Sequence, residues 1–504
     1  MKFPHLVVNS FKNPHSMKKI PVLLLLVLCF ILNSTLLTAQ SNSLGSINFP
    51  NSGAAEAQTD FIKGVKLLHN FEYSDAARAF KNAQEIDPEF ALAYWGEAKS
   101  YNHAIWQRQD LEAANEALNQ LGSTVEERQS KSPTQREKDY LMSLEILFGN
   151  TPESEGKSKE ERDFLYLDYM EQLHSVYPID QEITSFYGLA ILGSAHEGRD
   201  FAIYMRAAAE FFDVWNANQE HPGAAHYLIH SFDDPIHAPL GLPMARAYSK
   251  IAPAAAHAQH MTSHIFLAMG MWEDVVSANI VARNVQTSRQ KELGEKATVC
   301  GHYPWWLEYG YLQEGEDEEA EKVLLSCKER IEEGSSSNGE KWHYGIMRAH
   351  FIIDSENWSA VDSWGIDDEA QNWGSIDYYF TNSLASIKTN QIEKARENLN
   401  SLLRFVDVSA RAEEAEHKSN QIKALLLIKE GNTEEGIELL KKEIEYEFSL
   451  PIEFGPPEIV KPSSELLGEV YAELGMIDEA KAAFEAQLVR TPKRRISLLA
   501  LEKL

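Results

Sequence analysis

The chain has 504 residues, of which 44% are apolar and 24% are charged, which is the composition of a globular protein with ample material for a core. Lysine and arginine number 47 and aspartate and glutamate 76, so the formal net charge is −29. A surface of this sign repels nucleic acids and anionic lipids, and we therefore expect no nucleic-acid partner.

The N-terminus has the features of an export signal. Lys18 and Lys19 precede an apolar run from Ile20 to Leu32, and a small-residue stretch at 38–41 provides a cleavage site. We predict a signal peptide over residues 1–40, a flexible lead-in over 41–58, and a periplasmic or extracellular bacterial protein with no membrane span after cleavage. A retained N-terminal anchor is the alternative, because the apolar run approaches membrane-spanning length.

Small and aromatic residues recur with fixed spacing at both ends of the remaining chain. The first set is Gly64, Ala76, Phe80, Ala83 and Pro88, and the last is Gly468, Tyr471, Gly475, Ala480, Phe484 and Pro492. Small residues allow two helices to approach, and an aromatic side chain fills the gap between them. The pattern resembles the tetratricopeptide repeat. It predicts an all-α solenoid of about ten helical pairs, wound into a right-handed superhelix over 59–504.

Histidines dominate the centre of the chain, over residues 221–302. His226 and His230 are four residues apart, so their rings share one helix face. His260 and His264 repeat this spacing 34 residues later, which is one tetratricopeptide repeat. His257 lies one turn earlier on the same face. In such arrays this face lines the concave groove, so we expect five rings to converge there.

The next repeat is longer, and the equivalent positions change in character. Gly270 and Gly315 are 45 residues apart, and the same shift takes the three histidines of the preceding helix to His302, Trp305 and Tyr309. The groove would then pass from histidines to an aromatic wall, which suits a ligand pocket. We predict a substrate groove lined by Trp305, Tyr309, Asn279 and Arg283.

This cluster predicts a transition-metal site, with copper or zinc as the first candidates and iron as a further one, because neutral imidazole binds all three. The predicted ligands are His226, His230, His257, His260, His264 and His302. Six histidines around two ions would indicate copper and oxygen chemistry, whereas three or four ligands would indicate zinc. The alternatives are a hydrogen-bonded polar layer between helices and a pH switch.

Four further polar residues flank these ligands. Asp233 and Asp234 are predicted catalytic carboxylates, and they could also complete the coordination or orient a histidine. His221 either caps the helix that starts at Pro222 or binds metal, and His237 favours a role in a turn.

Two other features concern the architecture. Cys300 and Cys327 fall in two neighbouring helices of the repeat pattern, where a disulfide is geometrically reasonable, and two buried thiols are the alternative. The segment 451–464 contains Phe454-Gly455-Pro456-Pro457 and cannot be helical throughout. In a superhelix it could fold back over the groove.

The segments around 221–230 and 257–266 read His-Pro-Gly-Ala-Ala-His-Tyr-Leu-Ile-His and His-Ala-Gln-His-Met-Thr-Ser-His-Ile-Phe. They resemble motifs of a group of exported bacterial tetratricopeptide proteins. The resemblance covers most of the mature chain and implies the fold, but it implies no reaction.

Two functions fit these observations. The first is a metal-dependent enzyme that acts on a small molecule or peptide, either a copper or iron oxidase or oxygenase, or a zinc hydrolase in which Asp233 or Asp234 accepts the proton of metal-bound water. The second is a non-catalytic groove for a peptide or protein partner, with structural histidines. Repeat clamps for peptide termini use Lys, Arg and Asn, and this groove offers His, Trp and Tyr, which favours the enzyme.

Overall fold

The computed structural model describes residues 43–365, 374–407 and 410–504, so the predicted signal peptide lies outside the described residues. Residues 44–504 form one unit of helical hairpins. No helix in the described part of the chain is long and apolar enough to cross a membrane. The helices are α1 (Gln58–His69), α2 (Tyr73–Ile86), α3 (Ala91–Ser100), α4 (Leu111–Leu121), α5 (Val125–Ser130), α6 (Gln135–Leu147), α7 (Lys159–Val176), α8 (Gln181–Gly193), α9 (Phe201–Ala217), α10 (Pro222–Ser231), α11 (Ala238–Ile251), α12 (Ala256–Ala268), α13 (Trp272–Glu292), α14 (His302–Glu314), α15 (Asp317–Glu332), α16 (Asn338–Asp354), α17 (Ser375–Lys388), α18 (Ile392–Leu403), α19 (Ala412–Lys429), α20 (Thr433–Ser449), α21 (Ser463–Glu473), α22 (Ile477–Arg490) and α23 (Arg495–Lys503).

Small residues at the predicted positions let neighbouring helices approach. A Cβ atom on Gly64 of α1 would lie 2.7 Å from the Phe80 ring of α2, and one on Gly96 of α3 would lie 2.2 Å from it. One aromatic ring thus fills the space that two glycines leave. At the other end of the chain, a Cβ atom on Gly468 would lie 2.8 Å from the Phe484 ring. The tetratricopeptide-like, all-α solenoid predicted from the sequence is confirmed.

The first helical pair packs against the middle of the chain. The Tyr248 hydroxyl donates a hydrogen bond to Asn70 Oδ1 at 2.7 Å, and the His257 N–H donates to the Glu72 carboxylate at 3.0 Å. Each of these bonds joins residues more than a third of the chain apart. They connect the turn between α1 and α2 to α11, which carries Tyr248, and to α12, which carries His257.

The segment ahead of α1 is also packed where the structure describes it. The buried Phe49 ring lies 5.3 Å from the Phe61 ring and 5.1 Å from the Tyr140 ring, measured between centroids. The Ser46 N–H donates to the Glu220 carbonyl at 2.9 Å. The described part of the predicted lead-in is therefore anchored to the solenoid.

Two segments outside the helical pairs reach toward the histidines. An antiparallel ribbon of β1 (Asn102–His103) and β2 (Arg108–Gln109) carries Trp106 in the turn between its strands. The segment that joins α20 to α21 reaches Trp306 of α14, because a Cβ atom on Gly455 would lie 2.5 Å from that ring. The predicted loop over 451–464 therefore ends at α21 and folds over Trp306.

Cys300 and Cys327 form a disulfide, with Cα atoms 4.5 Å apart. Cys300 lies two residues before the start of α14, and Cys327 lies within α15. Of the two possibilities that the repeat pattern left open, the disulfide is therefore present, and it links the two helices of the pair that begins with His302.

Candidate metal centre

Three helices carry the six histidines predicted as ligands. His226 and His230 lie on α10, which begins at Pro222 because the His221 side chain accepts the Ala224 N–H at 3.1 Å and caps the helix. Of the two roles predicted for His221, the helix cap is therefore the one that the structure shows. The other four ligands are His257, His260 and His264 on α12 and His302 at the first position of α14.

These six side chains form two groups of three. The first trio is His226, His230 and His257, and the second trio is His260, His264 and His302. Within each trio, one ring nitrogen from each histidine lies within 4.8 Å of the others.

The two trios are neighbours. The His230 and His264 ring centroids are 5.9 Å apart, and those of His257 and His260 are 6.1 Å apart. The expected convergence of the rings is therefore present, with His302 added to it.

Hydrogen bonds on the far side of the rings decide which nitrogen carries the proton. His226 Nδ1 donates to the His69 carbonyl oxygen at 2.7 Å. His264 Nδ1 donates to Asp233 Oδ2 at 2.5 Å. Because a carbonyl and a carboxylate can only accept, the Nδ1 atom of each ring must hold its hydrogen.

His260 is fixed in the same way. Its Nδ1 lies 2.7 Å from Asn279 Oδ1, and Asn279 uses its amide nitrogen to donate to the Val275 carbonyl at 2.9 Å. The amide orientation is set by this second bond, so Oδ1 is the acceptor. Asn279, predicted as part of the substrate groove, instead orients a ligand from behind.

The remaining nitrogens of His260 and His264 face each other. Their Nε2 atoms are 3.2 Å apart, and with both protons on Nδ1 each Nε2 presents a lone pair to the other. Two lone pairs at this distance repel, so a proton or a metal ion between them is required. His230 is also left unsatisfied by the protein, because both of its buried ring nitrogens lack a hydrogen-bond partner.

A proton is the weaker explanation at neutral pH. Burial, reinforced by the neighbouring histidines, holds the pKa of His226, His230, His257 and His260 well below its ordinary value. Buried imidazoles that stay neutral are the form that coordinates a transition metal. Each trio therefore brings together ring nitrogens that could hold a metal ion.

The two aspartates predicted as catalytic lie behind the ligands. Asp233 is engaged with His264 Nδ1, on the side of the ring away from the facing Nε2 atoms. Asp234 is paired with Arg199 at 3.0 Å and accepts from the ring and N–H of His237 at 2.9 Å, which holds a turn. Asp233 thus holds the His264 ring, and Asp234 stabilises the turn that follows α10, while the catalytic role of either residue stays a prediction.

Aromatic rings line the second trio, and one of them was not predicted. Trp306 packs on it, with centroids 4.7 Å from His260 and 4.4 Å from His264. The predicted Trp305 lies between His302 and His350, with centroids at 6.4 and 6.3 Å. The predicted Tyr309 lies 4.9 Å from His350.

Arg283, the remaining residue of the predicted groove, is half-buried on α13. Burial lowers its pKa, and the nearby Tyr311 opposes that shift. The substrate groove of four residues stays a prediction.

A third cluster lies beside the first trio and was missed in the sequence. His69, Glu182 and His221, which we call the buried triad, also bring three potential ligand atoms within 4.8 Å of one another. Glu182 accepts from His69 Nε2 at 2.7 Å and from His221 Nε2 at 3.2 Å. Although burial alone would raise it, these two histidines lower the pKa of Glu182 to about 2.

The other nitrogens of the buried triad are also satisfied. His69 Nδ1 lies 3.0 Å from the Tyr227 hydroxyl, which can donate to it, and His221 Nδ1 accepts the Ala224 N–H. Every ring nitrogen thus has a complementary partner within the protein. This cluster supports α10 through hydrogen bonds. Its three residues do not recur at the repeat spacing, so the sequence pattern did not reveal it.

No protein-family model matches the sequence, and no curated protein matches it either. Solved structures that are similar include the Cut9-Hcn1 hetero-tetramer of APC/C (11% identity, 95% of this chain and 81% of that chain, TM-score 0.36). Others are human IFIT1 with m7Gppp-AAAA (14% identity, 88% and 91%, TM-score 0.34) and yeast Tom70 (14% identity, 89% and 94%, TM-score 0.32).

Proposed function

We propose that this chain holds two transition-metal ions, one in each histidine trio, and uses them to oxidise a small molecule. The single observation that carries the proposal is the contact between His260 Nε2 and His264 Nε2 at 3.2 Å, with both Nδ1 atoms committed as donors. A cation between the two nitrogens removes the repulsion and uses both lone pairs. His302 then completes three ligands around that ion.

The ligand chemistry favours copper, with dioxygen as the oxidant. Each trio consists of imidazoles, a set that suits copper and zinc better than harder cations. A zinc hydrolase would need a base near metal-bound water, and Asp233 and Asp234 are engaged behind the ligands. Two adjacent three-histidine sites therefore support an oxidase or oxygenase over a hydrolase.

The same proposal includes the cellular location of the protein and the size of its substrate. The predicted export signal and the Cys300–Cys327 disulfide fit an oxidising compartment, periplasmic or extracellular. Among the six ligands His302 is exposed and His257 half-buried, while the other four are buried. A centre in which four of six histidines are buried suits a small molecule better than a protein surface.

The test is elemental analysis of the chain, purified without a histidine tag and reconstituted separately with copper and zinc. We expect two copper ions per chain. The variant His260→Ala/His264→Ala should lose one ion, and His226→Ala/His230→Ala should lose the other. His174→Ala is the matched control, because this half-buried histidine contacts Thr184 far from both trios.

Less than one ion per wild-type chain after reconstitution would refute the metal centre. Two bound ions with no oxygen consumption, tested on reduced protein with a panel of small phenols, amines and thiols, would favour the non-catalytic scaffold with metal-stabilised helices.

A further inference from the structure

The turn inside a helical pair has one recurrent conformation. In six pairs joined by a short turn, a residue one or two positions after the first helix has a left-handed φ, and the next N–H bonds the carbonyl five residues back at 2.7 to 3.0 Å. Glycine suits this position because other residues are disfavoured there by roughly 1–2 kcal/mol. The six residues are Gly270 (φ 62°), Gly315 (φ 79°), Gly431 (φ 92°), Gly475 (φ 74°), Asn390 (φ 58°) and Phe71 (φ 55°).

Phe71 is the outlier in this set. Asparagine is a common substitute for glycine at the end of a helix, whereas a bulky aromatic residue is not. The Glu72 N–H bonds the Leu67 carbonyl at 3.0 Å, so the first pair makes the same turn as the others. A residue held in a disfavoured conformation requires support from the surrounding structure, and such residues cluster at functional sites.

The ring of Phe71 covers all three members of the first trio. Its centroid lies 4.3 Å from that of His226, 5.7 Å from that of His257 and 5.8 Å from that of His230. The side chain is 7% exposed, and Trp106 of the ribbon packs outside it at 5.3 Å.

The second trio is covered differently. Trp306 packs on His260 and His264 from the interior, beneath the segment that contains Gly455. His302 is exposed at the surface. The second trio is therefore the more exposed of the two, because His257 of the first trio is half-buried.

We propose that Phe71 is an aromatic cap that closes the first trio and directs small exogenous ligands to the centre through the second trio, beside His302. The proposal rests on the proposed function, since it concerns access to the same two ions. It makes Phe71 a specificity-determining residue. The ligands it admits are small molecules that bind first at the ion held by His302.

The test is the rate of metal removal from the copper-loaded full chain by EDTA. We expect a fast phase from the second trio and a slow phase from the first, with the slow phase absent in His226→Ala/His230→Ala. Phe71→Gly should speed the slow phase about tenfold. Changes of similar size in metal affinity or activity follow when residues around metal ligands are replaced. The fast phase and the stoichiometry of two ions should stay unchanged, because a cap limits access and not coordination.

Asn390→Gly is the matched control, because it makes the same backbone change at the equivalent turn of a distant pair. It should leave both phases unchanged. Phe71→Leu keeps an apolar side chain at the same backbone angle and should give an intermediate rate. If circular dichroism shows that Phe71→Gly does not fold, Phe71→Leu replaces it as the test variant.

The outcomes separate the two proposals. Two ions released at one rate from the wild-type chain, or an unchanged slow phase in both Phe71 variants, would overturn the cap while leaving the metal centre standing. A chain that binds no copper would overturn the metal centre, and the cap with it.

Discussion

The second trio and the buried triad look alike by distance and differ by hydrogen bonding. Each brings three potential ligand atoms within 4.8 Å of one another. In the buried triad, the Glu182 carboxylate accepts from both histidines, and each remaining nitrogen has a donor. In the second trio, two Nε2 lone pairs face each other. Proximity of ligand atoms therefore does not identify a metal site until the protons have been assigned.

The largest expected effect comes from breaking the buried triad. Glu182→Gln leaves two buried histidines with a neutral partner that cannot accept from both as a carboxylate does. We expect the free energy of unfolding of the metal-free protein to fall by about 3 kcal/mol, the range for a lost buried charged hydrogen bond. Urea unfolding followed by circular dichroism measures it.

His230→Leu is the contrasting variant for the same measurement. Its ring nitrogens have no hydrogen-bond partner in the protein, so an apolar side chain should change the stability of metal-free protein by less than about 1 kcal/mol. Equal losses in the two variants would contradict the distinction between the clusters.

The next effect concerns metal affinity at the second trio. Asp233→Ala removes the acceptor that holds His264 Nδ1, so Nε2 is no longer aimed at the ion. We expect a loss of copper affinity of about 10- to 100-fold at one of the two sites. Competition with a chelator measures it. Asp274→Asn, in an exposed ion pair with Arg246, should leave both affinities unchanged, and equal effects of the two variants would count against the orienting role.

The smallest effect is a difference in pH dependence between the clusters, measured on metal-free protein. Burial holds the pKa of His230 well below its ordinary 6.5, so below pH 6.5 the unfolded chain binds more protons than the folded one. Stability should therefore fall as the pH drops below 6.5. Exchanging His230 for Leu should flatten this slope.

The buried triad should respond at lower pH. The pKa of Glu182 is lowered from 4.5 to about 2, so its contribution is complete above pH 4.5 and is lost as the pH falls toward 2. The stability difference between wild type and Glu182→Gln should stay constant from pH 7 to 4.5 and shrink below it. A difference that shrinks already at pH 6 would contradict the assignment of the charge to Glu182.

Much of the histidine cluster could be predicted because it depends on helical periodicity and repeat length. The i, i+4 spacing placed His226 and His230 on one face, and the 34-residue repeat placed His260 and His264 beside them. The longer repeat added His302 and Trp305, which lie 6.4 Å apart between centroids. Trp306, which packs on His260 and His264, was not predicted.

What the sequence by itself determined was therefore the repeat fold and the identity of six converging histidines, since both depend on short-range periodicity, whereas the sequence left the Cys300–Cys327 disulfide open. Only the tertiary structure decided how they divide into two trios, which nitrogen carries each proton, and that Phe71, His69 and Glu182 surround them. These contacts join residues that are far apart along the chain, such as His69 and His226 at a separation of 157. Such pairings arise from the winding of the whole superhelix, which brings the first helical pair onto the middle ones.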